Sequence, residues 1–300
     1  MAKFAQKCRF FFGIVFALMD SMRILITGSS GVIGSVLCKR IAAEAEVIPF
    51  DIKQGFDIRD KKQLLQMVRG IDGVIHCAAI SRVSDCEKNP VLCKEVNIIG
   101  TKNIVACLQR QANKPWLLLV SSREVYGQAK NFPVTEDFYY NPINKYVHSK
   151  VEAEKIVNQY SNSGIVRLAN IYGSATDYKN RVVFSFTKAA LNNKPLFLNG
   201  ASNILDFIHI DDAVNGIVLC LKNQLKDTVH LTSGIGISLE ELAKKIINLA
   251  NSKSQIIKKP AKENEVSCFY GSSSIAKKTL NWEAQIVLEY GIKKLIKEMK

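Results

Sequence analysis

The sequence predicts an α/β fold, a doubly wound parallel sheet with a smaller C-terminal α+β lobe, on three observations. Short apolar runs of strand type alternate with stretches whose apolar residues recur at helical spacing. The first run leads directly into a glycine triplet. The runs are also too uniformly apolar to be half solvated, which implies strands covered by helices on both faces.

Arg23–Thr27 is the first run, and Gly28-Ser-Ser30-Gly31-Val32-Ile33-Gly34 follows it, opening a helix continued by Val36, Leu37 and Ile41. Gly28 permits a tight turn, Gly31 lets backbone N–H groups approach a pyrophosphate at the helix N-terminus, and Gly34 lets the helix pack closely on the strand. Ser30, Val32 and Ile33 complete the loop and are placed at the cofactor with the glycines. A second run, Val47–Phe50, ends in Asp51, 23 residues beyond Gly28. A carboxylate there bonds a ribose 2′-OH and repels a 2′-phosphate, so the cofactor expected of this Rossmann-type unit is NAD rather than NADP. Lys53 is a modest counterweight.

The alternation continues with a loop over Gly55–Asp60, an amphipathic stretch to about Val68 and a buried strand over Gly73–Ala79. Residues 91–112 read as a helix that includes Asn97, Trp116–Val120 as a strand, Ile143–Tyr160 as a helix and Gly164–Leu168 as the next strand. Residues 23–173 thus form the dinucleotide-binding domain. Beyond Gly173 the rhythm loosens. Residues 174–204, with a basic helix over Arg181–Leu191 and turn chemistry at Asn193–Pro195, and residues 234–300 are assigned to the substrate lobe. Ser238 with Glu240 and Glu241 opens a helix there, and Leu288, Ile292, Leu295, Ile296 and Met299 mark a last amphipathic one. Between these, residues 205–233 carry strands Asp206–Ile210 and Thr228–Leu231 around the helix Asp211–Leu221, and are expected to rejoin the main sheet.

The net charge of +14 comes from dispersed lysines without a basic block interleaved with aromatics. A solvated surface that attracts the phosphates of a small ligand fits this better than a nucleic-acid groove. Eight cysteines at irregular spacing, with no CxxC pair, predict reduced thiols and a cytoplasmic protein. Four scattered histidines make no metal-ligand spacing, so no metal is expected. In residues 1–22, Lys3, Lys7 and Arg9 precede an apolar run from Phe10 to Met19, half of the roughly 20 residues a membrane span needs. This extension is expected to be dispensable, with Met22 as the natural start and no stable membrane span.

The chemistry centres on Ser121-Ser122-Arg123-Glu124 at a strand end and Tyr146-Val-His-Ser-Lys150 on a helix. Tyr146 and Lys150 are i,i+4 and share a face, so the ammonium is expected to lower the phenol pKa from about 10. A phenolate so tuned takes the proton of a substrate hydroxyl while the hydride passes to NAD, and Ser122 holds the reacting oxygen. A Tyr–Lys pair alone is commonplace. Its place beside strand-end serines, in a chain that carries a dinucleotide loop, turns it toward catalysis.

With these residues in view, the chain resembles the extended short-chain dehydrogenase/reductase family, in the NAD-dependent epimerase/dehydratase branch of UDP-glucose 4-epimerase type, from about Arg23 to Lys300. The motifs are TGSSGVIG at 27–34, Asp51, Asp57-Ile58, VIHCAA at 74–79, Asn97, SSREVYG at 121–127, YVHSK at 146–150, RLANIYG at 167–173 and LDFIHIDDAV at 205–214. The resemblance implies that Ser122, Tyr146 and Lys150 form a catalytic triad, with Lys150 also on the nicotinamide ribose. It implies Asp57 and Ile58 at the adenine, with Cys77, Ala78, Ala79 and Asn97 also at the cofactor, and Ser81 and Asn170 at the substrate. For Asn97 and Asn170, bracing of backbone is the competing reading. It further implies a nucleotide-diphosphate sugar as substrate and a homodimer formed by the helices of 91–112 and 143–160.

The reaction expected is epimerisation. Relatives that dehydrate have two acidic residues after the catalytic Ser/Thr. Here these are Arg123, which cannot donate a proton at neutral pH, and Glu124, a candidate catalytic carboxylate. Net sugar oxidation or reduction, decarboxylation and, less favoured, 4,6-dehydration stay open, as does a non-catalytic dinucleotide-binding module with a basic partner surface. Two diphosphate arginines of relatives are replaced by Leu205 and by Lys262, which removes bidentate phosphate contacts. Arg181 and Lys188 are the candidates to substitute.

Overall fold

In a computed structural model, which describes residues 22–177 and 181–300, β1 (Arg23–Thr27), β2 (Glu46–Phe50), β3 (Gly73–His76), β4 (Trp116–Ser122) and β5 (Ser163–Leu168) pair in parallel in the order β2-β1-β3-β4-β5. The strands are apolar because both faces are covered. In β1, Ile24 and Ile26 enter the core on one face and Leu25 the core on the other, following the period of two. The connection from β1 runs to β2 on one side and then crosses back to β3 on the other. This reversal opens a crevice at the carboxyl ends of β1 and β3. The expectation for the apolar leader falls outside the described residues.

The second half follows a different plan. β6 (Asn170–Tyr172), β7 (Leu196–Asn199) and β8 (Ile204–His209) precede β9 (Thr228–Leu231), and β10 (Gly236–Ser238), β11 (Ile256–Lys259) and β12 (Cys268–Phe269) follow it. Of the segment 205–233, only β9 joins the parallel sheet, as the sixth strand beside β5. β8 instead pairs with β6, β10 and β12 in a smaller sheet, contrary to its expected return to the main one. The buried Asp206 helps to hold it there, accepting from Ser233 N at 2.9 Å, Ser233 Oγ at 2.7 Å and Gly234 N at 3.0 Å. A third apolar cluster, with Tyr172, Phe186, Leu242 and Ile292, underlies this lobe. Its helix Leu239–Leu249 begins with the capping box expected from Ser238, completed by Glu241.

Two local features differ from expectation. The stretch 91–112 is not one regular helix: Pro90–Lys94 and Thr101–Leu108 are joined by a π turn over Glu95–Gly100. A π turn widens the helix and re-aims one side chain, here that of Asn97. The thiols are also not all reduced, since Cys86 and Cys93 form a disulfide. Asn89, whose side chain accepts from Leu92 N, turns the short helix Val83–Lys88 into Pro90–Lys94 and brings the two cysteine Cα atoms to 5.1 Å. Among the described residues, no helix is long and apolar enough to cross a membrane.

Candidate active site

The crevice at the carboxyl ends of β1 and β3 widens into a cavity of about 620 Å³. Gly28, Ser30, Gly31, Val32, Ile33 and Gly34 form one wall, Asp51, Asp57 and Ile58 another, and Cys77, Ala78 and Ala79 a third. The glycines are there for stated reasons. Gly28 has φ +69°, and a Cβ on Gly34 would lie 2.1 Å from the Gly28 carbonyl oxygen, inside any tolerable contact. The Asp51 carboxylate is held against the glycine loop, accepting from Ser30 N at 3.0 Å and Lys53 N at 2.9 Å. Asp57 is occupied by Arg59, which keeps its carboxyl below the usual range.

A second cavity of about 600 Å³ adjoins the first, sharing Ile33, Cys77, Ala79, Ser81, Val120 and Arg181 with it. Ser122, Arg123, Glu124, Tyr146, Lys150 and Asn170 line this outer space, as do Leu205 and Lys262. β4 delivers Ser122 at its carboxyl end. The helix Lys145–Val157, capped by Asn144 accepting from Val147 N at 2.8 Å, delivers Tyr146 and Lys150 one turn apart. Ser122 Oγ accepts from Glu124 N at 3.2 Å and lines the outer cavity together with Tyr146. Arg181 pairs with Asp177 at 3.2 Å and Lys262 with Glu265 at 3.1 Å, whereas Lys188 is not among the lining residues.

The electrostatics differ from expectation in one respect. The phenol of Tyr146 is not lowered; burial pushes it up to about 12, and the neighbouring Ser122 hydroxyl opposes this only in part. The Lys150 ammonium donates to the Val120 carbonyl at 2.9 Å. Burial in turn pushes Lys150 down to about 8. Burial raises Glu124 as well, against the pull of Arg123.

Asn97 lines neither cavity. Its side chain accepts from Ile80 N at 2.8 Å and donates to Ile80 O at 3.1 Å and Ser149 Oγ at 2.8 Å, so it braces backbone rather than facing ligand. Asn170 does both, since it faces the outer cavity while donating to Asp206 O at 2.9 Å. Sequence reasoning missed Phe197 and Asn203, which also line the outer cavity. The available signal was the alternation in β7, where Leu196 and Leu198 are buried and Phe197 between them is 51% exposed. Among the described residues, no group of three or more His, Cys, Asp or Glu side chains is placed to hold a metal.

Comparison with known proteins gives this geometry a context. A Methanocaldococcus jannaschii protein provisionally named UDP-glucose 4-epimerase is 29% identical, over 92% of this chain and 98% of its own. UDP-glucuronic acid decarboxylase 1 of Danio rerio is 28% identical, over 92% of this chain and 72% of its own. The structure of Thermotoga maritima UDP-glucose 4-epimerase with UDP-glucose has a TM-score of 0.85 at 23% identity, over 92% of this chain and 98% of that one, a likeness of fold. The model of the NAD dependent epimerase/dehydratase family matches residues 24–231, from the glycine loop through the Ser, Tyr and Lys positions to β9, and the chain belongs to that family.

Proposed function

We propose that this protein is an NAD-dependent epimerase of a nucleotide-diphosphate sugar. The observation that carries the reading is that Ser122, Tyr146 and Lys150 line one outer cavity, adjoining the wall that cavity shares with the inner one. The inner cavity fits NAD: its glycine loop leaves room for a pyrophosphate at a helix N-terminus, and the buried Asp51 carboxylate suits a ribose diol. When bound, NAD supplies the acceptor and donor of a hydride. Ser122 orients the substrate hydroxyl, and Tyr146, once ionised against the upward pull of burial, takes its proton as the phenolate and later returns it. Lys150 holds positive charge on the same helix face one turn away. Arg181 and Lys262 are the cations available to the diphosphate, each exchanging a carboxylate partner for a phosphate oxygen. Ser81 and Asn170 complete the polar lining.

The test is product analysis. NAD-loaded protein incubated with UDP-, dTDP-, GDP- and CDP-sugars should convert at least one to its epimer without accumulating NADH. Net NADH formation would instead mark a dehydrogenase. Tyr146→Phe should lower kcat by about 10²- to 10⁴-fold with NAD binding retained. Conversion of no nucleotide sugar, or full activity in Tyr146→Phe, would sink the reading.

A further inference from the structure

Asn144 is buried, and both ends of its amide are in use. Oδ1 accepts from Val147 N at 2.8 Å, capping the helix of Tyr146 and Lys150, while Nδ2 donates to Asn264 O at 2.9 Å, 120 positions away. Gln128 makes the companion contact. Its Nε2 donates to Glu265 O at 2.8 Å, and its Oε1 accepts from Ser267 N at 3.2 Å and Ser267 Oγ at 2.9 Å. Two side chains of the dinucleotide-binding domain thus hold consecutive carbonyls of one strap, the stretch 260–267 between β11 and β12.

That strap needs an external hold. Residues 260–264 are exposed, so little apolar burial fixes them, and Asn264 turns the chain with φ +58°. Lys262, Glu265 and Val266 nevertheless line the outer cavity together with Ser122 and Tyr146. Asn, Asp and Ser cap a helix about equally well. Aspartate, however, lacks a donor, and serine has a single atom for both contacts; the amide separates them, so asparagine at 144 can serve cap and strap at once.

We propose that Asn144 and Gln128 are positioning residues for the substrate, their amides clasping the strap 260–267 so that Lys262, Glu265 and Val266 stand in register with the helix of Tyr146 and Lys150. Neither Asn144 nor Gln128 lines either cavity, so each acts through the strap. Loss of one donor releases a strap carbonyl to water and lets this part of the cavity wall open away from the catalytic helix, at a cost in affinity rather than in chemistry.

The inference takes its ligand from the nucleotide-sugar reading, and one experiment separates the two. Full-length NAD-loaded protein is titrated calorimetrically with UDP-, dTDP-, GDP- and CDP-glucose, and turnover of the tightest binder is assayed. Amide hydrogen exchange over 260–267 is followed by mass spectrometry without sugar. Asn144→Ser, which keeps a capping oxygen, and Gln128→Met should each weaken sugar binding by about 3- to 10-fold, chiefly in KM rather than kcat. Both should speed exchange over 260–267, with NAD affinity and melting temperature close to wild type. Asn144→Ala, which lacks the cap as well, should also melt lower. A cap-only role for Asn144 predicts normal exchange and affinity in Asn144→Ser. That result, or unchanged sugar affinity in either variant even where exchange quickens, overturns the clasp. If a sugar binds, is weakened in both variants and is not turned over, the epimerase reading fails and the clasp stands. Binding of no sugar by the wild type overturns both.

Discussion

Asn97 Nδ2 donates to Ser149 Oγ at 2.8 Å, joining the π turn to the helix that carries Tyr146 and Lys150. The same amide grips both backbone groups of Ile80, which lines the inner cavity. Asn97 thus acts on the site through its scaffold. Asn97→Ala leaves Ile80 N and O without their partner, and a loss of about 2–3 kcal/mol is expected, measured by urea unfolding. Unchanged stability would show that the brace is dispensable.

Lys150 is buried and its ammonium is pushed down from 10.5 to about 8. Below pH 8 the lysine is charged in both the folded and the unfolded chain, so the cost of burying the charge is present in full. Between about 8 and 10.5 the unfolded chain binds more protons, and stability from this group rises with pH. Lys150→Met removes the buried charge and orphans the Val120 carbonyl, at a cost of about 1 kcal/mol. The variant should be more stable than the wild type by about 2 kcal/mol at pH 7, with the advantage shrinking toward pH 10.5, and should lose turnover. Denaturant unfolding at both pH values checks this; a less stable variant at pH 7 would refute it.

Features set by neighbours in sequence were readable, and features set by distant partners were not. The strand, glycine loop, helix and Asp51 are local, because turn, cap and register depend on residues within a few positions of each other. The Tyr146–Lys150 spacing placed both residues on one helix face by arithmetic alone. Where the ammonium goes depends on the Val120 carbonyl, 30 positions away, and burial by residues distant in sequence raised the phenol that the pair was expected to lower. Likewise the partner of Asn97 is Ile80, 17 positions away, and the sheet membership of β8 depends on Asp206 finding Ser233, 27 positions away.

Asp51 is held rigidly by two backbone N–H groups beside the glycine loop, so its charge cannot swing away from a 2′-phosphate. Asp51→Ser keeps a polar group at the ribose and removes the repulsion. The ratio of NAD to NADP affinity should fall by at least about 10-fold, measured by cofactor titration of the purified variant. A ratio equal to that of the wild type would place discrimination elsewhere, with Lys53 the next residue to vary.

The Cys86–Cys93 disulfide closes a short loop against the site scaffold, since Asn97 Nδ2 also lies 3.6 Å from Cys93 Sγ and Cys86 Sγ lies 3.6 Å from Ile80 O. In the chain-entropy account, a loop of this size stabilises by about 2 kcal/mol. Cys86→Ser should therefore lower stability by roughly that amount under oxidising conditions and leave it little changed in excess dithiothreitol, where the wild type is reduced as well. Unfolding curves of the two proteins with and without the reductant supply the measurement. A gap that persists undiminished in dithiothreitol would assign the loss to packing of the buried Cys86 side chain rather than to the bond.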